Sequence, residues 1–402
     1  MLSRILAVLS VLFLCVPLPG CDSSSAAEPD VPQLPSNVSF STKITTPLAI
    51  EGLSGDLAGN LYTTGRSPGV GLPCPVWRVS VARPALVVVG FIPAPSASDQ
   101  CSPSGLTFNK AGDLFFSDGD KIYVLTPNDL NPPVARIYAS GVPGTNGLAF
   151  DRRGDLWTGD GTTGLGRVWK ISTAGVVTEV LRVQPMANEV NLVAGVGGVG
   201  RDNRTLPPGT ITVTPTSRAA ANALGSQPLV ANGVAFNSDG DMIIADTARG
   251  ALWKVQFDGS GNVTSRRGCD TTFTANTLCL DNVFVAHPFL EGADGIALDR
   301  QGNIWVDAGE RNAIAVVTPS GHVTEVFRNP PNSAGLRNEG PFENDTSPFL
   351  LGTTFCTANS DANRRDNSPP TAGELGGTGQ PKGKISCMDQ SLILSGLVLP
   401  VQ

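Results

Sequence analysis

Histidine is nearly absent from this chain. His287 and His322 are the only two in 402 residues. A histidine-built metal centre would need more imidazole, and no Gly-x-Ser-x-Gly elbow occurs to carry the nucleophilic serine of a hydrolase relay. Charge is also scarce: Asp, Glu, Lys and Arg together make up 16% of the residues. The net charge is −7 and no basic run occurs, which argues against a nucleic-acid partner. No Cys-x-x-Cys spacing occurs, so thiolate zinc and dithiol redox chemistry lose their usual support. The Gly-rich stretch 195–200 does not open a helix after a strand, so it is not a dinucleotide fingerprint. The N-terminal apolar run, residues 5–16, is too short to span a bilayer as a stable anchor.

Glycine and proline, by contrast, are abundant at 46 and 32 residues, a composition suited to short strands and tight turns. Many of the glycines keep a fixed spacing. A stretch of the form Asp294-Gly-Ile-Ala-Leu-Asp-Arg-Gln-Gly-Asn-Ile-Trp-Val-Asp307 occurs in five versions, beginning at Glu51, Ser104, Asn146, Asn232 and Asp294. The second position is always glycine: Gly52, Gly105, Gly147, Gly233 and Gly295. A second glycine stands eight residues after the first position: Gly59, Gly112, Gly154, Gly240 and Gly302. Spacing held this often marks a repeated structural unit.

The unit reads as a β-hairpin followed by two further strands. In the third copy, residues 147–150 alternate over a short strand, 151–154 are polar and end in glycine, and Leu156 opens the next strand. Residues 167–171 and 176–183 supply the third and fourth. Four strands in roughly forty residues, repeated, predict an all-β fold, a six-bladed β-propeller. The repeats override the two or three domains that the length alone would permit. Gly352 stands in for the second glycine of a diverged sixth blade. Counting back eight residues gives Asn344 as its opener, with residues 354–359 as its second strand. Residues 38–50 read as an N-terminal strand that closes the ring against 383–389, removing exposed edges. The interval from Asn146 to Asn232 is about twice a blade, so residues 188–227 read as a loop insertion after blade three. It is either a lid carrying Asn188, Glu189 and Asn191 or a plain surface loop.

The scaffold around the first position hardly changes, yet that position holds Glu, Ser, Asn, Asn and Asp. The first strand of a propeller blade lines the central channel, so a residue just before it sits at the channel mouth. Glu51, Asn146, Asn232 and Asp294 together offer two carboxylates and two carboxamides, a hard-oxygen site for a divalent cation. Calcium is the preferred ion, with zinc or magnesium as alternatives. The competing reading is that short polar residues merely start strands after turns. Ser104, Asn344 and His287, seven residues before Asp294, are candidate substrate contacts.

These residues resemble the senescence marker protein, gluconolactonase and luciferin-regenerating enzyme superfamily of six-bladed propellers. The resemblance spans about residues 40–401. It is most specific in 232–236 with 245–247, and in 294–295 with 302–305. It implies that Glu51, Asn146, Asn232 and Asp294 bind one calcium or zinc ion and that Asp294 acts as general acid/base. Lactonases of this kind often carry a substrate-binding arginine two residues before the first asparagine. Gly144 stands there in this chain, which puts sugar-lactone specificity in doubt.

Residues 1–21 read as a signal peptide with Arg4 ahead of the apolar stretch. It ends Leu18-Pro19-Gly20-Cys21, which resembles a lipobox whose Cys21 is the site of lipid attachment. The expectation is an exported, membrane-attached lipoprotein, held only by the N-terminal lipid and facing the periplasm or cell exterior. A secreted soluble protein is the alternative. Residues 22–37, with no periodicity and three prolines, read as a flexible linker, and 38–402 as the propeller. Six cysteines remain for the exported body, an even number that suits disulfides. Sequence proximity pairs Cys74 with Cys101, Cys269 with Cys279 and Cys356 with Cys387.

An ion held by four protein oxygens keeps positions open for water and substrate, and would polarise a lactone or ester carbonyl. Asp294 would assist the attacking water. The expected activity is a metal-dependent hydrolase of small lactones or esters, acting as a monomer. The alternative is a non-catalytic binding propeller with a structural calcium ion. A third reading is a condensation of the strictosidine-synthase kind, with Glu343 as the channel base.

Overall fold

The computed structural model describes residues 37–56, 58–184, 230–269, 271, 273–331, 340–360 and 382–392. The expected leader, Cys21, most of the linker and the 188–227 insertion lie outside them. The described residues form six four-stranded antiparallel sheets and no α-helix. Each of blades one to five uses four consecutive strands, ordered from the channel outward. Their innermost strands are Leu53–Gly55, Leu106–Phe108, Thr145–Phe150, Val234–Phe236 and Ala293–Leu298. Blade six runs outward from Asp345–Leu351 through Thr354–Asn359 and Lys384–Met388 to the N-terminal strand Phe40–Thr45. The chain therefore closes its ring as the sequence predicts, by pairing Phe40 with Met388 and Thr45 with Lys384.

The core lies in the seams. Six clusters of buried apolar side chains each join two neighbouring blades. Trp157 fills the seam between blades three and four, and Trp305 the seam between five and six. A blade cannot bury both of its faces alone, so the ring is the stable unit.

The two repeated glycines serve different ends. Gly59, Gly112, Gly154, Gly240 and Gly302 all adopt φ between +80° and +89°, the left-handed turn conformation that glycine takes at least cost. The Asp or Asn that precedes each turn caps it. Asp299 Oδ1, for example, accepts from the N–H groups of Gln301 and Asn303, while its Oδ2 accepts from Trp305 Nε1. The glycine at the second position needs no special φ. A Cβ on Gly233 would stand 2.4 Å from the Asp294 carbonyl oxygen, and one on Gly105 2.3 Å from that of Asn146. Glycine is there because neighbouring innermost strands approach too closely for any side chain.

All three expected disulfides are present. Cys356–Cys387 ties the second and third strands of blade six, where the two residues are register partners. Cys74–Cys101 ties blade one to the loop that leads into blade two.

Candidate active site at the channel mouth

The close approaches of the second-position glycines define a ring. Going round it, each one faces the first-position carbonyl of the next blade: Ser104, Asn146, Asn232 and Asp294, and after Gly295, Thr346. Thr346 Oγ1 then donates to the Glu51 carbonyl at 2.7 Å and closes the circle. The sixth ring position is therefore Thr346, two residues beyond the expected Asn344. Blades one to five turn their first hairpin with five residues between the last paired positions, as in Gly55 and Leu61. Blade six pairs Leu351 with Thr354 across a two-residue turn, so Gly352 is not the counterpart of the other turn glycines. Asn344 sits just outside the ring, with φ +54° and its Nδ2 donating to Ser360 Oγ.

Register shifts mark the mouth. They fall between Thr145 and Leu148, between Ala293 and Ile296, and between Asp345 and Ser347. Each bulge brackets a ring residue and re-aims it. Below the ring, the six innermost strands enclose a largely apolar cavity of about 110 Å³ that includes Leu53, Leu106, Leu148, Val234 and Ile296. The polar mouth therefore has an apolar floor.

Glu51, Ser104, Asn146 and Asn232 are all buried, and Asp294 is half-buried. Several ring side chains lean on the residue fifteen positions later, where the chain leaves the second strand. A Cβ on Gly161 would stand 2.7 Å from Asn146 Nδ2. Asn232 Nδ2 donates to Thr247 Oγ1 at 3.2 Å, which leaves Asn232 Oδ1 buried without a hydrogen-bond partner. Blade one differs most. Its residue at that place is Arg66, whose Nη1 donates to Glu51 Oε2 and whose Nε and Nη2 donate to Ser102 Oγ. The Cys74–Cys101 disulfide holds the segment that carries Ser102. The Ser102 N–H in turn donates to Asp118 Oδ1, a carboxyl that burial pushes above its usual range. Arg66 was not singled out from the sequence. The spacing of fifteen residues from Glu51 would have found it, because Gly119, Gly161, Thr247 and Gly309 stand there in the other copies.

Gly144 has a structural cause. It adopts φ +81°, and a Cβ there would stand 2.0 Å from Asp160 Oδ1. Asp160 receives Arg167 Nε at 2.7 Å and the Thr163 N–H. Asp246 likewise receives Arg249 and Trp253 Nε1. These buried aspartates hold the loops around the mouth.

His287 stands just past Val283–Ala286, the outermost strand of blade four. His287 Nδ1 accepts from the Phe289 N–H, and its ring packs edge-on against Phe289. Burial and the Arg311 guanidinium hold its pKa below the ordinary imidazole range. His322 is an exposed turn residue. Glu343 is fully buried 3.6 Å from Lys384 Nζ inside blade six, an ion pair in place of a channel base. Among the described residues, Cys269, Cys279 and Asp281 come together, but both sulfurs are spent in a disulfide.

Residues 186–334 match the family model of the SMP-30/Gluconolactonase/LRE-like region. That match takes in Asn232 and Asp294. No curated protein matches the sequence. Among solved structures, a luciferin-regenerating enzyme is 13% identical over 90% of this chain and 98% of its own, with a TM-score of 0.55. A structural-genomics target assigned as a gluconolactonase is 14% identical over 90% and 95%, with a TM-score of 0.51. A calcium-binding regucalcin from Agrobacterium tumefaciens is 17% identical over 88% and 95%, with a TM-score of 0.50. At these identities the likeness speaks for the fold. The chain is a six-bladed β-propeller that resembles the senescence marker protein, gluconolactonase and luciferin-regenerating enzyme superfamily, with an SMP-30/gluconolactonase/LRE-like region at residues 186–334.

Proposed function

We propose that the channel mouth is the active site of a metal-dependent hydrolase of small lactones or esters. The observation that carries this reading is Asn232 Oδ1, an amide oxygen buried at the mouth with no hydrogen-bond partner. A buried acceptor left bare is costly, and an oxygen-seeking cation is one remedy. Glu51, Asn146, Asn232 and Asp294 would hold the ion, and this donor set favours calcium. When bound, the ion supplies a Lewis acid for the carbonyl oxygen. The family of the region at 186–334 supports the lactone or ester class.

The chain's own residues set the rest. Asp294 orients the attacking water and takes its proton. The Ser104 hydroxyl offers a contact to the bound substrate. The largely apolar floor puts low-polarity surface beneath the mouth, which strengthens polar contacts above it. Arg66 restrains Glu51 and adds positive charge beside the carbonyl site. If Cys21 carries a lipid, this site works outside the cytoplasm on the end of a tether.

A binding propeller with a structural ion is the second reading. It is favoured by the glycine at 144, which leaves the mouth without the arginine that lactonases of this kind often carry. Proton release from a panel of lactones and aryl esters, with calcium or with chelator, separates the two. The hydrolase reading expects calcium-dependent turnover that disappears in Asp294→Asn while the fold survives. No turnover on any substrate, with calcium still raising the melting temperature, would overturn it in favour of the binding propeller.

A further inference from the structure

The seam between blades five and six holds two carboxylates that the ring architecture does not require. Asp307 stands thirteen residues after Asp294. The same place holds Thr64, Ser117, Gly159 and Ala245 in the first four blades, all neutral. This position points into the seam with the next blade. Ser117 Oγ, for instance, donates to the Asn146 carbonyl of blade three at 2.7 Å. Asp345 stands just before the ring position Thr346. Its counterparts Ile50, Pro103, Thr145, Ala231 and Ala293 are again neutral. Carboxylates thus occur at two seam positions where every other blade has an uncharged side chain.

Both carboxylates are completely buried. Asp307 Oδ2 accepts from Thr357 Oγ1, which reaches across from blade six. Asp307 Oδ1 and both oxygens of Asp345 have no hydrogen-bond partner. Burial pushes both groups up, and the negative charges of Asp345 and Asp294 push Asp307 further. The N–H groups of Ala308 and Ala313 lie near Asp345 and favour its ionised form, but neither reaches hydrogen-bonding geometry with its oxygens. One shared proton would satisfy two of the three bare oxygens, as donor and acceptor, and leave the third bare. A hard cation can take all three.

We infer that Asp307 and Asp345 form a second divalent-cation site, in the seam behind Asp294 and separate from the mouth set of Glu51, Asn146, Asn232 and Asp294. Calcium fits best, because it accepts irregular sets of carboxylate and carbonyl oxygens. The site would lock blade five to blade six next to the strand that carries Asp294. The inference rests on geometry that holds whether or not the mouth is catalytic.

The test is calorimetric titration of chelator-stripped full chain with calcium chloride, alongside thermal unfolding with and without calcium. Wild type is expected to bind two ions. Asp345→Asn and Asp307→Asn should each lose one, and Asn232→Ala should lose the other. In Asn232→Ala, calcium should still raise the melting temperature, and adding Asp345→Asn should abolish that rise. One ion in wild type, lost in Asn232→Ala and kept in both aspartate variants, would overturn the inference and leave the mouth site standing. One ion kept in Asn232→Ala and lost in Asp345→Asn and Asp307→Asn would do the reverse. An unchanged ion count in Asp345→Asn, with a higher melting temperature in chelator at pH 8, would show a shared proton and also overturn it. No ion in any form would overturn both sites.

Discussion

Gly233→Ala should damage the site through the backbone, and its size can be worked out. The new Cβ would stand 2.4 Å from the Asp294 carbonyl oxygen and 3.0 Å from Gly295 Cα, against 3.4 Å or more for ordinary contact. Both neighbours are backbone, so no side chain can swing away. The innermost strands of blades four and five must separate by about 1 Å, or the new residue must stay strained, an overpacking cost of roughly 1–3 kcal/mol. At about 2.1 cal/mol/K per residue over a propeller of about 350 residues, 3 kcal/mol lowers the melting temperature by about 4 °C. The displaced residue is Asp294 itself, and a 1 Å misplacement costs about a hundredfold in rate. Gly240→Ala is the control in the same repeat. Its φ is +89°, and nothing lies within 4 Å of the new Cβ. It should cost about 1 kcal/mol of conformational strain, and calcium affinity and turnover should stay at the wild-type level. Melting curves, calcium titration and lactone turnover on both variants make the comparison. Equal thermal losses with equal, intact calcium binding and turnover would refute the assignment of the two glycines to different jobs.

Other outcomes follow from the same contacts. Arg66→Met removes the guanidinium on Glu51, so calcium affinity by calorimetry should rise on the order of tenfold, or about 1.4 kcal/mol. Chelator-treated protein should become less stable, because a mostly buried carboxylate loses its partner. Replacing both Cys356 and Cys387 with serine opens a 31-residue separation, worth about 3.7 kcal/mol in the chain-entropy model, against about 2.7 kcal/mol for the 10-residue separation of Cys269 and Cys279. Denaturant melts of the two double variants should rank in that order. Asp345 is raised from 3.8 to about 8 in the folded chain, so the native state holds a proton there that the unfolded chain has lost. Its stability contribution is full below about pH 4 and is lost as pH rises through about 8. In chelator, Asp345 alone should lower stability across that window by up to about 1.4 kcal/mol per pH unit, and Asp345→Asn should reduce the slope, with Asp307 supplying what remains.

The blade repeat was legible because it is local. Glycine spacing, the polar turn and the alternating strand all act within a dozen residues, and they sufficed to place blades one to five. The disulfides were legible for a related reason, since each joins cysteines within or next to one blade. Blade six misled the count because its two-residue hairpin shifts the turn glycine relative to the ring, and pairing register is a property of two strands rather than one. Gly144 was visible as a missing arginine, but its cause, the Asp160 carboxylate against its Cα, was not.

The sequence by itself determined the fold class, the blade count, the closure by the N-terminal strand and the polar residues that open each innermost strand. These follow from short-range periodicity and turn chemistry, repeated along the chain. The tertiary structure alone decided which of those polar groups have partners. It put Arg66 on Glu51, left Asn232 Oδ1 bare, set Thr346 in the ring and brought Asp307 and Asp345 into one seam. Such contacts depend on how loops fold back and how blades abut once the ring has closed. Burial then decides their chemistry, because a carboxylate without a partner costs little in water and a great deal in a seam from which water is excluded.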